Sequence, residues 1–422
     1  MFVIKSIKIV DKSKEILNVF FCNDTIKEYY SKNYTTLILG ENGVGKSFLL
    51  KSIIDIFLFL ENAKSLKRKP KYQYESFSIE YRIENDDYYI CRENGTKIVA
   101  RKNGLDINYK EVQLPNKVLA LSFMVNDKFQ FSKDDENDMY VYHGVRSSTN
   151  STYTSSISRN ITFDLIKVIE KNYHKEIAEI FSVLHFDPIL EFEYKYEDDN
   201  KNKKVYVKKV DFNSFDKVEF GHYNKWFYPT VYFRKNNKRI TFDSCSSGEK
   251  HLLFAYMGIL SRIRDNSLIL IDEPEISLHP EWQIKYISNL NKLFGKYKNC
   301  HFILASHSHY FVSELQGESS AIVVLKNDFD AMNSSPKSEL IPYDTYAWSA
   351  ENIIYNVFGI RTTRNYYFES DLSHLIMSLE SFDDTVEKRD AIKGQIEKLQ
   401  KYVYDLNDPL KKLLEEAEDK IK

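Results

Sequence analysis

The sequence predicts an α/β protein built on a mainly parallel sheet, and three features carry that prediction. First, LILGENGVGKSFLL, from Leu37 to Leu50, passes from an apolar strand pattern through a glycine-rich turn into an apolar helix pattern. Second, residues 239–312 alternate strand and helix patterns, as successive βαβ units do. Third, FVIKSIKIV, ILNVFF and TTLILG near the N-terminus, then YESFSIEYRI, DDYYICRE and TKIVARK, are short strand patterns. The last three are split by Asn-Asp and Asn-Gly turns, which predicts an antiparallel layer.

The remaining elements follow in order. KSFLLKSIIDIFLFL has helical apolar spacing, and KVLALSF at 117–123 reads as a buried strand. Residues 147–160, SSTNSTYTSSISRN, are Ser/Thr-rich and predict a loop or linker. One helix is expected over ITFDLIKVIEKNYHKEIAEIFSVL, and a polar stretch at 197–204 separates two further strands. The last 75 residues or so read as helical. The expected division is a first domain over 1–340, with a helical and β insertion at about 145–240, and a helical segment over 341–422 that contacts a partner or another copy. Ile392, Ile396, Leu399 and Val403 make an apolar stripe in that segment, which reads as packing.

Bulk properties narrow the classes. The 422 residues can bury a sizeable core, and 43% hydrophobic with 28% charged residues is ordinary for a globular protein. A net charge of -2 excludes a global field that would draw the chain to nucleic acid or membrane. Cys22, Cys91, Cys245 and Cys300 form no CxxC pair, which argues for reduced thiols. The N-terminus does not read as a signal peptide, and no apolar run nears the roughly 18 residues a membrane span needs. The expectation is a cytoplasmic protein with no membrane partner.

Gly40 to Ser47 fit the spacing GxxxxGK[ST]. Glycines let backbone N–H groups curl around an anion, and the helix behind them points its positive end at phosphate. Lys46 can neutralise phosphate charge, and the Ser47 hydroxyl can ligate Mg²⁺. Glu41, Asn42, Gly43, Val44, Gly45, Lys46, Ser47 and Phe48 are the candidate nucleotide-binding residues. In SLILIDEPEISLHP an apolar strand ends on Asp272 and Glu273. The first carboxylate suits Mg²⁺ and the second suits polarising a water. HFILASHSHYF ends another apolar strand near His307, which can contact a γ-phosphate. His279 and His309 nearby read as structural. Ser246, Ser247, Gly248 and Glu249 precede an apolar helix and form a second anion-suited start. A second phosphate site in one subunit is redundant unless it closes on the nucleotide of another.

These four motifs, in this order, resemble an ATP-binding cassette (ABC-type) ATPase, over most of residues 1–315. GENGVGKS, SSGEKHLL and DEPEISLHPEWQ are more similar to the SMC/RecF/OLD-like branch than to transporter cassettes. The resemblance implies ATP and Mg²⁺ as cofactors and a head-to-tail dimer or higher oligomer. Lys46 would hold phosphate, Ser47 and Asp272 would hold Mg²⁺, Glu273 would activate water and His307 would sense the γ-phosphate. Ser246 to Glu249 would act in trans, Ser277-Leu278-His279 would form the D-loop, and Gln130 is the Q-loop candidate, with Asn126 and Asp127 as alternatives. Cys245 and Ser247 depart from the family's aliphatic residue and glycine. Only roughly 200 residues separate Ser47 from Ser246, with no long heptad pattern, which argues against long coiled-coil arms. No acidic set suggesting a nuclease domain follows His307. The tail, WSAENIIYNVFGIRTTRN and DLNDPLKKLLEEA, resembles that of ATPase subunits in bacterial anti-phage systems, Septu in particular. That implies a separate nuclease partner, of HNH type if Septu-like. The alternatives are a RecF-like ATP-dependent DNA-binding repair protein and, more remotely, a transporter cassette. The basic stretches KSLKRKPKYQY at 64–74 and NKKVYVKKV at 202–210 suit either a solvated surface or contact with DNA.

Overall fold

The computed structural model describes the chain apart from residues 23–32, 66–71, 94, 96, 133–137, 149–150, 153, 198–202, 215–219, 221–228, 316–318, 327–335, 343–347, 349, 357–363, 384, 404–407 and 422. Among the described residues no helix is long and apolar enough to cross a membrane.

The chain begins with an antiparallel hairpin, β1 (Val3–Asp11) and β2 (Lys14–Phe20), turning through left-handed Lys12 and Ser13. β3 (Asn33–Gly40), buried along its whole length, leads into α1 (Lys46–Ser65). β4 (Ser76–Ile83), β5 (Asp86–Glu93), β6 (Lys97–Lys102) and β7 (Leu105–Ile107) extend the first hairpin into a six-stranded antiparallel sheet, ordered β2-β1-β4-β5-β6-β7. In β4 the residues Phe77, Ile79, Tyr81 and Ile83 point inward and polar residues alternate with them, as a half-buried sheet requires.

β8 (Lys117–Ser122) and β9 (Tyr140–Gly144) follow, then a small hairpin of β10 (Arg146–Ser148) and β11 (Ser151–Thr152). Two helices, α2 (Thr154–Glu170) and α3 (His174–Val183), come next. β12 (Ile189–Glu197), β13 (Lys203–Asp211), β14 (Thr230–Lys235) and β15 (Lys238–Thr241) make a separate antiparallel sheet, ordered β13-β12-β14-β15. The chain then runs through α4 (Ser247–Arg262), β16 (Ser267–Asp272), α5 (Pro280–Ile284), α6 (Tyr286–Phe294), β17 (Cys300–Ser306), β18 (Ser320–Lys326) and β19 (Lys337–Leu340) to α7 (Ala350–Asn356).

The stretch expected as a loop at 147–160 is instead a hairpin followed by the start of α2. Ile157 and Ile161, one helical turn apart, pack into the core, and that burial outweighs the weak helix preference of the Ser/Thr run. The single helix expected beyond it is two. Asn172 takes φ 58°, and the N–H of Tyr173 bonds the Val168 carbonyl, which closes α2 before α3 begins.

The central sheet has seven strands, ordered β19-β18-β3-β17-β16-β8-β9, and only β19 runs antiparallel. β3, β8, β16 and β17 are buried on both faces, which explains their unbroken apolar runs. One face, with Ile38, Ala120, Leu270 and Ile303, packs on α1 and the antiparallel sheet. The other, with Leu39, Leu121, Ile271 and Leu304, packs on α2, α3, α4 and α6. An Arg262–Asp164 ion pair of 2.7 Å and a Ser261–Asp164 hydrogen bond of 3.0 Å tie α4 to α2.

Residues 1–358 form one compact unit and 359–422 another. The second holds α8 (Tyr366–Glu380), α9 (Val386–Gln400) and α10 (Pro409–Lys420). Leu375, Ile392, Ile396, Leu399 and Leu414 form its core, so the stripe seen in the sequence is packing. Asn365 and Asp408 cap two of the helices.

A buried histidine ties the layers together. His301 on β17 accepts the Ile4 N–H of β1 at Nδ1 (3.2 Å), and its Nε2 lies 2.8 Å from the Thr36 hydroxyl of β3. Burial pushes its pKa down to about 3, and burial does the same to His251 on α4. The unfolded chain takes up these protons near the ordinary histidine pKa, while the folded chain does not. The contribution of these histidines is therefore full above about pH 6.5 and falls as pH drops toward 3, by about 2 kcal/mol each at pH 5. Urea unfolding of the parent and of a His251→Gln chain at pH 7 and pH 5 measures this, since the carboxylates raised by burial titrate alike in both; a loss between the two pH values that is the same in both chains contradicts it.

Candidate nucleotide-binding site

Strand register assembles the site. β3 pairs β17 with Leu39 opposite Ser306, β17 pairs β16 with Ala305 opposite Asp272, and β16 pairs β8 with Asp272 opposite Ser122. The loops after these four strands therefore leave the sheet at one edge, the C-terminal edge where open α/β sheets bind ligands.

The loop from β3 to α1 has the conformation its residues require. Gly45 takes φ 104°, which an L side chain rarely adopts. Val44 is buried, Glu41, Asn42 and Gly43 are exposed, and Phe48 packs edge-on against Tyr74. Lys46 opens α1 and is almost wholly buried. Its ammonium donates to the carbonyls of Gly40 (2.9 Å) and Glu41 (3.2 Å) and to His307 Nε2 (2.7 Å). Burial lowers the Lys46 pKa, while Glu273, Glu275 and Asp272 pull it back up.

Ser47, the next residue, donates its hydroxyl to Asp272 Oδ1 at 3.1 Å. Residues 225 positions apart thus present a hydroxyl and a carboxylate side by side. Burial pushes the Asp272 pKa up to about 7, and the Ser47 hydrogen bond opposes it. Burial leaves this carboxylate costly to ionise even with the Lys46 ammonium nearby, so the donor pair suits a hard divalent ion. Among the described residues no three His, Cys, Asp or Glu side chains converge as a metal cage. The set instead suits Mg²⁺ that brings most of its ligands as phosphate oxygens and water.

Glu273 holds a left-handed backbone, φ 50°, and its N–H bonds the Ala305 carbonyl at 2.8 Å. Its Oε1 lies 3.6 Å from His307 Nε2. Burial and then the Lys46 ammonium lower the His307 pKa, which keeps the ring neutral and able to accept the lysine proton bond. Two carboxylates support this group. Glu275 accepts the His307 N–H at 2.6 Å and fixes that turn; burial raises its pKa. Asp127 accepts from Arg146 at 2.5 Å and from Tyr142 at 2.6 Å, and lies close enough to push Asp272 up. Gln130, on the same loop, is exposed, and its carbonyl accepts the Tyr140 hydroxyl at 2.6 Å. Asn126 is exposed as well. The role of Glu275 was hidden in the sequence, although the residue stands in the DEPE motif. Its signal was a third acid two positions beyond the pair.

Ser246 caps α4. Its hydroxyl accepts the Glu249 N–H at 3.3 Å, and Glu249 Oε2 accepts the Ser246 N–H at 2.8 Å, a reciprocal capping box. Ser246 and Ser247 are exposed, while Gly248 and Glu249 are buried. Gly248 is required by close approach, because a Cβ there would lie 2.5 Å from the Trp282 ring and 3.1 Å from the Ser277 carbonyl. Ser277 itself is left-handed, φ 63°, and His279 caps α5 by accepting the Glu281 N–H at 3.3 Å. His309 lies against Tyr310 with the rings tilted and their centroids 4.1 Å apart. Gln283 donates to the Leu278 carbonyl at 2.9 Å and accepts the Ser308 hydroxyl at 2.6 Å, joining the 277–279 turn to the His307 turn.

A glycine loop before a helix, a Ser–Asp pair at its base and a neighbouring Glu and His define a P-loop nucleotide-binding head of the ABC type. The chain belongs to the family described as "AAA domain, putative AbiEii toxin, Type IV TA system", whose model matches residues 36–313. It is 23% identical over 402 residues to the Septu protein PtuA of Bacillus thuringiensis, covering 90% of each chain. It is 24% identical over 360 residues to a retron Vc95 probable ATPase of Vibrio cholerae serotype O1 biovar El Tor, covering 69% of each. The SMC head domain from Thermotoga maritima aligns with 81% of this chain and 98% of its own, at 12% identity and a TM-score of 0.41.

Gly248→Ala should destabilise the protein by about 1 to 3 kcal/mol, because the new methyl meets the Trp282 ring. Trp282→Ala in the same chain should remove that added cost. Denaturation of the two single variants and the double variant checks the cycle; strictly additive losses contradict the contact.

Proposed function

We propose that the chain is an ATP-binding and hydrolysing subunit that works as a head-to-tail dimer or higher oligomer. The observation that carries this reading is the Ser47–Asp272 contact at the base of the glycine loop, with Lys46, Glu273 and His307 around it. Bound ATP supplies a γ-phosphoryl group to water, and Mg²⁺ neutralises charge on its phosphates. Ser47 and Asp272 hold that ion. Lys46 gives its ammonium to phosphate oxygens in place of its own loop carbonyls. Glu273 orients and polarises the attacking water, and neutral His307 contacts the γ-phosphate from the adjacent turn. The exposed Ser246–Ser247 start of α4 approaches the phosphates of a second copy, with its helix N-terminus facing the anion.

The output of the cycle is control of a separate nuclease in anti-phage defence. Support for it comes from the similarity to Septu PtuA and to a retron Vc95 probable ATPase. The partner is of HNH type if the Septu likeness extends that far. A second reading is a RecF-like DNA clamp. It is favoured by the edge strand β13, which carries Lys204, Lys208 and Lys209 and exposes Val205, Tyr206 and Val207. It predicts nucleotide-dependent duplex binding that weakens steeply with salt.

Lys46→Ala should weaken ATP binding at least tenfold, while Glu273→Gln should keep binding and cut turnover by roughly 10²-fold or more. Equilibrium nucleotide binding and phosphate release measure both, and normal ATP binding by Lys46→Ala contradicts the site. The Glu273→Gln chain, recovered from its host with ATP, should bring a small nuclease with it. Efficient DNA cleavage by the purified chain alone contradicts the division of labour.

A further inference from the structure

The start of α4 poses an electrostatic problem that the fold solves with a residue outside every motif. A helix N-terminus carries about half a positive charge. Glu249, in its first turn, adds a full negative charge there. The sum is about minus one half, the wrong sign for meeting a triphosphate. Lys250 does not settle the matter, since its ammonium reaches the Asp243 carbonyl at 2.7 Å and Asp243 carries a charge opposite to its own.

Lys235 supplies the missing charge. It ends β14, and its ammonium pairs with Glu249 Oε1, while Oε2 is held by the Ser246 N–H. The pair brings the local sum back to about plus one half. Burial alone would raise the Glu249 pKa, yet Lys235 and Ser246 outweigh it and the net shift is downward, so the carboxylate stays ionised and paired.

The lysine is placed by its surroundings. The β14–β15 turn runs through left-handed Asn236 and Asn237. The Asn237 N–H bonds Asp187 Oδ2 at 3.0 Å, and the Asp187 N–H bonds the Arg234 carbonyl at 2.8 Å. The ammonium also lies over the Phe186 ring at 5.7 Å. Arg234 and Arg239 both pair with Glu191 at 2.9 Å, which stitches the insertion sheet behind it.

The geometry points to Lys235 as a positioning residue for ATP-dependent pairing of two copies: it neutralises Glu249 so that the Ser246–Gly248 start can receive the phosphates bound by the P-loop of the other copy. The inference rests on the trans arrangement given under Proposed function. It adds that the insertion sheet contributes a charge to the nucleotide sandwich without touching the nucleotide.

The test uses the full chain carrying Glu273→Gln, with ATP and Mg²⁺, and reads dimerisation by analytical ultracentrifugation at about 0.05 M and about 0.5 M salt. Adding Lys235→Met should weaken the dimer about tenfold at low salt and less at high salt, with ATP binding to the single subunit unchanged. Lys235→Arg should dimerise normally. Glu249→Gln alone should dimerise at least as well as the parent, and the Lys235→Met, Glu249→Gln double variant should recover. Because Lys235→Met alone leaves the buried Glu249 carboxylate unpaired, the salt series separates the two effects: a dimer weakened by charge regains strength as salt screens it, and one weakened by a damaged fold does not. Unaltered dimerisation of Lys235→Met, or a double variant as weak as the single, overturns the assignment of Lys235 while leaving the trans arrangement standing. A parent that shows no ATP-dependent dimer overturns the trans arrangement itself, and this inference with it.

Discussion

The parallel register of β3, β17 and β16 is the constraint on which the rest depends. Side-by-side pairing of Leu39 with Ser306 and of Ala305 with Asp272 brings three chain-distant turns to one edge. The strands hold that register because they are buried on both faces, and a slip by one residue would turn every apolar side chain to the wrong layer. His301, bonded to β1 and set beside Thr36 of β3, locks β17 between its neighbours. The site is therefore a property of the core rather than of its loops.

Charge is the second constraint on the site. The edge proposed to meet phosphate is crowded with acids, Asp272, Glu273, Glu275 and Asp127, around the buried Lys46. Each acid is either committed to a bond or placed where a cation suits it. Asp127 is held by Arg146, Glu275 by the His307 N–H, and Asp272 by Ser47. Burial pushes Asp272 up to about 7, and a divalent ion beside it would favour its ionised state. The α4 start follows the same logic, with Glu249 offset by Lys235.

Much of this was legible in the sequence where the chemistry is local. The glycine loop, the apolar strand ending on Asp272 and Glu273, and the Ser246–Glu249 start are each encoded within a few consecutive residues, and the structure brings the first two together. The central parallel sheet and the N-terminal antiparallel layer were legible too, because burial on two faces or on one writes different patterns. Residues whose role depends on tertiary approach were not. Nothing local marks Lys235 as the partner of Glu249, or Gly248 as the residue against Trp282. The Ser/Thr run that leads into and opens α2 reads as a loop for the converse reason, since two isoleucines reaching the core override its local preference.

The central claim is that one copy's glycine loop and another copy's α4 start share a nucleotide. The most direct measurement is a structure of the Glu273→Gln chain with ATP and Mg²⁺. The account predicts two copies related by a twofold axis, each nucleotide lying between Lys46 of one copy and Ser246 of the other. Nucleotide bound at Lys46 in a single copy, with the α4 start left facing solvent, would contradict it.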